Sequence, residues 1–165
     1  MFVEPVKGTY PDLSFPAHSD GWYGANLLSQ SALYEIADAR YNDPLLKRVL
    51  ELTYAQKKRL DPEALLNNQT ISVSDENMIQ QSYSFDASGF CLLRSDARTV
   101  VLKFGGEGIG HGHPDKLSIT IHDGKNELVS DFGTSGYGVP DYLKWYKRSL
   151  SHNTVTVDAK DQKRS

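Results

Sequence analysis

The chain has 165 residues, 39% of them hydrophobic and 24% charged, and a net charge of −3, which suits one ordinary domain or two small units with a real core. This balance excludes a disordered chain, the lack of any long apolar run excludes a membrane span, and the lack of a basic block removes the electrostatic footprint of a nucleic-acid partner. The single cysteine, Cys91, excludes an intrachain disulfide framework and a multi-cysteine zinc site; within Gly89-Phe90-Cys91-Leu92-Leu93 it is expected as a small buried hydrophobe.

The first 21 or so residues are rich in Pro, Gly, Ser and Asp and read as an extended lead-in. From Ala25 to Arg40 the apolar period is helical, with Leu28, Ala32, Ile36 and Ala39 on one stripe and Asp38 and Arg40 off it. Asn42-Asp43-Pro44 restarts a helix, with Asp43 as its cap and Pro44 in its first turn. That helix is expected to reach about Arg59, on an apolar face of Leu45, Leu46, Val49, Leu50 and Leu52. Two helices on so short a connection pack antiparallel. Residues 60–80 are polar and turn-rich and read as a linker. After Gln81 the period changes to two. Short strands are predicted at Tyr83–Phe85, Phe90–Arg94, Thr99–Phe104, Leu117–Ile121, Leu128–Asp131 and Thr154–Val157. Turns at Ser88-Gly89, Gly105-Gly106 and Asp123-Gly124 separate them, as in an antiparallel sandwich.

His111 and His113 stand two apart before a predicted strand, so extended backbone would aim both imidazoles into one site. The hairpin closed at Asp123-Gly124 returns Asp131 to the start of that strand, and His152 follows in Ser151-His152-Asn153. His113, Asp131 and His152 make a zinc set of two imidazoles and a carboxylate, which leaves His111 for a substrate. The bland alternative stays open: scattered histidines are usually surface or core residues, as expected for His18 and for His122 on the hairpin turn. The segment from Gly136 to Arg148, with Tyr137, Tyr142, Tyr146, Trp145, Lys144 and Arg148, suits a sugar-acid surface, or else it simply covers the sandwich. Gly105-Gly106-Glu107-Gly108-Ile109-Gly110 lacks the Lys-Ser/Thr ending of a phosphate loop and reads as a flexible approach to the histidines.

Three strings occur in order: Phe104 to Ser118 with Gly110-His111-Gly112-His113-Pro114-Asp115-Lys116-Leu117, then Leu128-Val129-Ser130-Asp131-Phe132-Gly133-Thr134, then Ser151-His152-Asn153-Thr154-Val155-Thr156-Val157-Asp158 with Gln162. Together they resemble the heparinase II/III-like polysaccharide lyases, nearest their alginate and heparan oligosaccharide branches. Residues 20 to 52, with Tyr34-Glu35-Ile36-Ala37-Asp38-Ala39-Arg40-Tyr41, resemble the last helices of that family's α/α-toroid. The resemblance implies an α+β chain: the end of an α/α-toroid and a linker over 1–78, then the first part of an antiparallel β-sandwich over 79–165.

It also implies β-elimination at a uronic acid, on an anionic polysaccharide or oligosaccharide of alginate or heparan type. His111 would neutralise the substrate carboxylate or act as base, with Tyr137 as the preferred catalytic tyrosine and Tyr142 and Tyr146 as fallbacks. Tyr142, Tyr146, Lys116 and Arg148 would bind substrate, and a structural zinc would sit on His113, Asp131 and His152. The family's essential upstream tyrosine and its polar partner have no match here. The chain is therefore expected to be a C-terminal fragment, inactive alone, of a periplasmic or extracellular bacterial enzyme. Two other classes stand beside this: a zinc-containing carbohydrate-binding β-sandwich without catalysis, and a cupin-like metalloenzyme with redox-active iron or manganese.

Overall fold

The computed structural model describes residues 2–67, 70–72, 81–96, 98–106 and 110–163. Residues 68–69 and 73–80 of the expected linker, and Glu107-Gly108-Ile109 of the glycine-rich approach, lie outside the described residues. The chain divides into two compact units, one of Met1–Ser14 with Asn26–Gln81, the other of Phe15–Ala25 with Ser82–Ser165.

The first unit is helical. It holds α1 (Val3–Lys7), a 3-10 turn at Leu27–Gln30, α2 (Ser31–Tyr41), α3 (Pro44–Gln56) and α4 (Pro62–Asn67). α1 lies in the expected lead-in and α4 in the expected linker. The Asp43 carboxylate accepts from the Leu45 N–H at 2.8 Å and Pro44 opens α3, as the sequence predicts. Asn42, in the left-handed region at φ 49°, closes α2. α3 stops at Gln56, because Lys57 is extended at φ −140°.

The core of this unit is Val6, Tyr10, Leu13, Leu27, Tyr34, Ala37, Leu46, Val49, Leu50 and Ala64. The stripe read for α2 is corrected: Ile36 is 46% exposed, and the buried side carries Ser31, Tyr34, Glu35, Ala37 and Asp38. Two acids can face inward because each has a cation. Arg59 donates Nε and Nη2 to the two Glu35 carboxylate oxygens, each at 2.7 Å, and Lys47 Nζ lies 3.0 Å from both oxygens of Asp38. Apolar periodicity cannot register that partnering.

The second unit is built on a five-stranded antiparallel sheet in chain order: β1 (Tyr83–Phe85), β2 (Phe90–Arg94), β3 (Thr99–Lys103), β4 (Ser118–His122) and β5 (Glu127–Val129). Thr99 pairs with His122, Val101 with Thr120 and Lys103 with Ser118. The whole is α+β. Among the described residues there is one sheet, and Thr154–Val157 is not a strand but ends in an isolated bridge between Val157 and Lys160. Thr154 is diverted instead to the Lys116 carbonyl, to which its hydroxyl donates. Leu117 drops out of its expected strand at φ 61°. Cys91 is half-buried rather than buried.

The covered face of this sheet is the polar one. Thr99, Lys103, Ser118, Thr120 and His122 are buried there beside Leu92 and Val101, while Leu93, Ile119 and Leu128 are exposed. Burying hydroxyls, an ammonium and an imidazole is tolerable only where they are hydrogen-bonded. The segments that supply such partners are the ones that build the site.

Candidate active site

The site lies within the second unit and draws on Phe15–Ala25, the His-Gly-His segment, the loop after β5 and the turns that follow it. The β4–β5 hairpin brings Asp131 back beside the start of β4, where Ser118 Oγ donates to Asp131 Oδ2 at 3.4 Å. Asp131 also accepts from the Gly133 N–H at 2.9 Å, an Asx turn that aims its carboxylate inward.

His152 Nδ1 lies 2.9 and 3.0 Å from the two Asp131 oxygens, and its Nε2 lies 3.2 Å from His113 Nδ1. His113 Nε2 reaches Asp20 Oδ1 at 2.8 Å. The result is a buried row, Asp131–His152–His113–Asp20. Burial pushes the His113 pKa down, against the pull of Asp20. Burial opposes ionisation of Asp131, but the bonds from His152 and Gly133 outweigh it and hold its pKa below 3.8.

This row has a proton count. Each outer nitrogen faces a carboxylate, which only accepts, so each carries a proton. Two neutral imidazoles have no proton left for the contact between them. The facing nitrogens His113 Nδ1 and His152 Nε2 then turn lone pairs toward each other, an arrangement that a shared proton or a metal ion would relieve.

Asp20 is the hub of the exposed side. Its carboxylate accepts from Tyr137 Oη at 2.7 Å and from Tyr142 Oη at 2.9 and 3.1 Å, and it lies 3.1 Å from His111 Nδ1. Tyr137 Oη also lies 2.6 Å from His111 Nδ1. Burial alone would raise the Asp20 pKa, but the bonds from Tyr137, His113, Tyr142 and His111 hold it down at about 2. Its bond to Tyr137 in turn raises that phenol, and burial with Asp20 raises Tyr142 well above the usual range. Both phenols thus stay protonated at neutral pH. Tyr142 opens a π-helical turn, Tyr142–Tyr146, that carries its ring inward, while Tyr137 is 63% exposed on the loop before it. His111, Ser19, Ser88, Lys103, Gly105 and Gly112 line a groove of about 600 Å³.

Residues 79–165 match the family described as Heparinase II/III-like, C-terminal. The chain belongs to the heparinase II/III-like family. An alginate lyase of Stenotrophomonas maltophilia (strain K279a) is 30% identical over 145 residues, which are 74% of this chain and 19% of that protein. An exo-oligoalginate lyase of Saccharophagus degradans is 33% identical over 69 residues, 36% of this chain and 9% of that one. The heparinase II/III-like chain therefore spans about a fifth or less of the curated relatives it matches.

Among solved structures, a mutant of the heparan sulfate lyase HepC from Pedobacter heparinus aligns with a TM-score of 0.72 at 18% identity, covering 98% of this chain and 24% of that one. A heparinase III aligns at 0.69 and 21% identity, covering 96% and 23%. At such identities these two show the fold.

The structure brings six of the nine residues singled out in this heparinase II/III-like sequence into one continuous set: His111, His113, Asp131, Tyr137, Tyr142 and His152. The set of His113, Asp131 and His152 has zinc's donor chemistry, and the facing imidazole nitrogens would suit a cation. The three stand in a row, however, and among the described residues no three His, Cys, Asp or Glu side chains converge as a metal shell.

Tyr142 is 8% exposed, so its ring is unavailable for stacking on a sugar. Arg148 is committed to Asp161, with Nε 2.5 Å from Oδ2, and Lys116 is tied through its main chain to Gln162 at 2.9 Å. Tyr146 is half-buried at the end of the π-helical turn, its carbonyl accepting from Ser151 Oγ. These three are held around Gln162 and the turn at 149–151.

Sequence reading gave no role to four participants: Asp20, Lys147, Lys103 and Asp115. Asp20 lies in what reads as a lead-in, and only its Ser-Asp-Gly context hints at a shaped turn. Lys147 Nζ donates to the Gly110 carbonyl at 2.9 Å and lies 5.4 Å above the Tyr142 ring. Lys103 and Asp115 form a buried ion pair that also holds Ser19 Oγ. His18 is half-buried as a residue, yet both its ring nitrogens are sealed from solvent without a hydrogen-bond partner among the described residues. His122 is buried at the end of β4, where Nδ1 accepts from the Gly124 N–H at 3.0 Å.

Proposed function

We propose that the protein cleaves a uronate-containing polysaccharide or oligosaccharide by β-elimination, with alginate ahead of heparan. The single observation that carries this is the His111–Tyr137 contact at 2.6 Å, exposed on one side and anchored on Asp20 on the other. Elimination breaks the C5–H and C4–O bonds, forms the C4=C5 double bond and returns a proton to the leaving oxygen. It needs a group to neutralise the uronate carboxylate, a base at C5 and an acid at the leaving oxygen. An exposed imidazole beside a phenol that stays protonated supplies two of these: His111 for the carboxylate or C5 proton, and Tyr137 for the leaving oxygen. Alginate comes first because the curated relatives at 30 and 33% identity are named alginate and exo-oligoalginate lyases.

In this reading His113, Asp131 and His152 would hold a zinc ion, with His113 Nδ1 and His152 Nε2 as the facing donors, and the ion would organise the loops behind His111. Its contribution when bound is structural charge. His111 and Tyr137 face the substrate, and Asp20 and Tyr142 orient them. The substrate class puts the protein in the periplasm or outside a bacterial cell. Among the described residues no helix is long and apolar enough to cross a membrane. In the family that this chain resembles, a further catalytic tyrosine lies upstream of the His-Gly-His segment, and on this reading these 165 residues alone are expected to be inactive.

The test is absorbance of the unsaturated product on alginate and heparan oligosaccharides. It compares the 165 residues alone with the same residues extended to the length of the relatives. Turnover by the extended protein, abolished in Tyr137→Phe and His111→Ala, is expected. Robust turnover by the 165 residues alone would sink the incomplete-site claim. Sugar binding with no unsaturated product from the extended protein would leave the carbohydrate-binding module in place of the lyase.

A further inference from the structure

His111 has two ring nitrogens, and the geometry decides which one is offered outward. Tyr137 Oη lies 2.7 Å from Asp20 Oδ2 and 2.6 Å from His111 Nδ1. A phenol has one proton, and a carboxylate can only accept. That proton therefore goes to Asp20, and the phenol oxygen accepts from His111 Nδ1–H. Nδ1 is also 3.1 Å from Asp20 Oδ2, where an unprotonated nitrogen would set its lone pair against a carboxylate oxygen. Both neighbours of Nδ1 require it to be the protonated nitrogen.

We propose that Asp20 is the positioning residue that fixes His111 as its Nδ1–H tautomer, so that Nε2 is the atom presented to substrate. The His111 side chain is 79% exposed, and among the described residues its ring hydrogen bonds run to Asp20 and Tyr137 rather than to its own segment. Asp20 imposes it because Asp20 is itself aimed from both sides. Ser19 Oγ is held by Lys103 Nζ and Asp115, and the Gly21 carbonyl accepts from the Thr134 N–H at 3.2 Å. Its two oxygens have about four lone-pair directions. Those directions are filled by Tyr137, Tyr142, His113 and His111. This is the logic by which a buried carboxylate sets the working nitrogen of a catalytic imidazole. The role deepens the lyase reading: it names Nε2 as the nitrogen that meets a uronate.

Long-range 1H–15N correlation spectra of the histidine-labelled chain test this without any turnover, with His111 assigned through His111→Ala. The neutral His111 of the wild type is expected in the Nδ1–H form. Asp20→Asn loses acceptor capacity and is expected to return His111 to the Nε2–H form that an unconstrained imidazole prefers in water. Tyr137→Phe is expected to keep Nδ1–H, because Asp20 still faces that nitrogen. A wild-type His111 in the Nε2–H form overturns the proposal. So does Nδ1–H persisting in a folded Asp20→Asn, or a switch caused by Tyr137→Phe. If Asp20→Asn does not fold, the wild-type and Tyr137→Phe spectra decide. An absent lyase activity would defeat the functional reading and leave the tautomer result standing.

Discussion

Gly133 sits against Gly21 so closely that a Cβ at position 133 would fall 2.0 Å from the Gly21 carbonyl oxygen, and its φ is +59°. No side chain fits, and the strand-end loop and the Asp20 segment touch through bare backbone. Gly133→Ala is expected to lose about 2–4 kcal/mol through overpacking and left-handed strain together. Gly24→Ala, at φ +80° with nothing among the described residues within 4 Å of its added Cβ, carries only the strain and should cost about 1 kcal/mol. Denaturant unfolding followed by tryptophan fluorescence reads this, since Trp22 and Trp145 both belong to the second unit. Equal losses for the two variants would refute the close-contact account.

The Lys103–Asp115 pair is the second anchor, with the Asp115 side chain fully buried and that of Lys103 10% exposed. Lys103→Met leaves a buried carboxylate without its counter-charge and should destabilise the second unit by about 3–5 kcal/mol. Adding Asp115→Asn should return part of that loss, so the double variant lies above the sum of the singles by more than about 1 kcal/mol. Additive losses in the cycle would show that the two side chains do not act as a pair.

Stability should fall on mild acidification. Burial holds the His18 pKa below 6.5, against the raising influence of Asp131 and Asp115. Below 6.5 the unfolded chain therefore takes up a proton that the folded chain resists, so unfolding is favoured as pH drops from about 7 to about 5. Asp20 adds a separate acid limb, with its stabilising charge lost between 3.8 and about 2. Chemical denaturation across pH should show both, with the upper limb flattened in His18→Gln. A stability that rises between pH 7 and 5 contradicts the assignment.

If zinc occupies the row, the purified chain should carry close to one equivalent, and chelation should lower its melting temperature by several degrees. His113→Ala and His152→Ala should each lose the metal. Elemental analysis decides: zinc absent from wild type and variants alike removes the ligand assignment, and redox-active iron or manganese in its place restores the cupin-like reading.

Several parts of this architecture were legible in advance. The Asp43 cap, the change from helical to two-residue period after Gln81 and most of the strands follow from local chemistry, which needs only neighbours in sequence. The ordered strings around His111, Asp131 and His152 likewise identify the family, because each marks a turn or strand end where the chain has few options.

Other parts were not. α2 buries Glu35 and Asp38 because Arg59 and Lys47 arrive from elsewhere, and β4 buries Ser118, Thr120 and His122 while Ile119 lies outward. In both places apolar patterning points to the wrong face, since a polar group may be buried wherever a distant partner satisfies it.

Local chemistry along the chain dictates most of the elements, the histidines and tyrosines and the family they mark. It takes the folded chain to make Asp20, 91 residues before His111 and 117 before Tyr137, the acceptor on which the site converges. An aspartate in a Pro- and Gly-rich segment has no local signature of its partners. Its role comes from the fold carrying that segment onto the loop after β5, where Gly21 and Gly133 leave room for backbone to meet backbone.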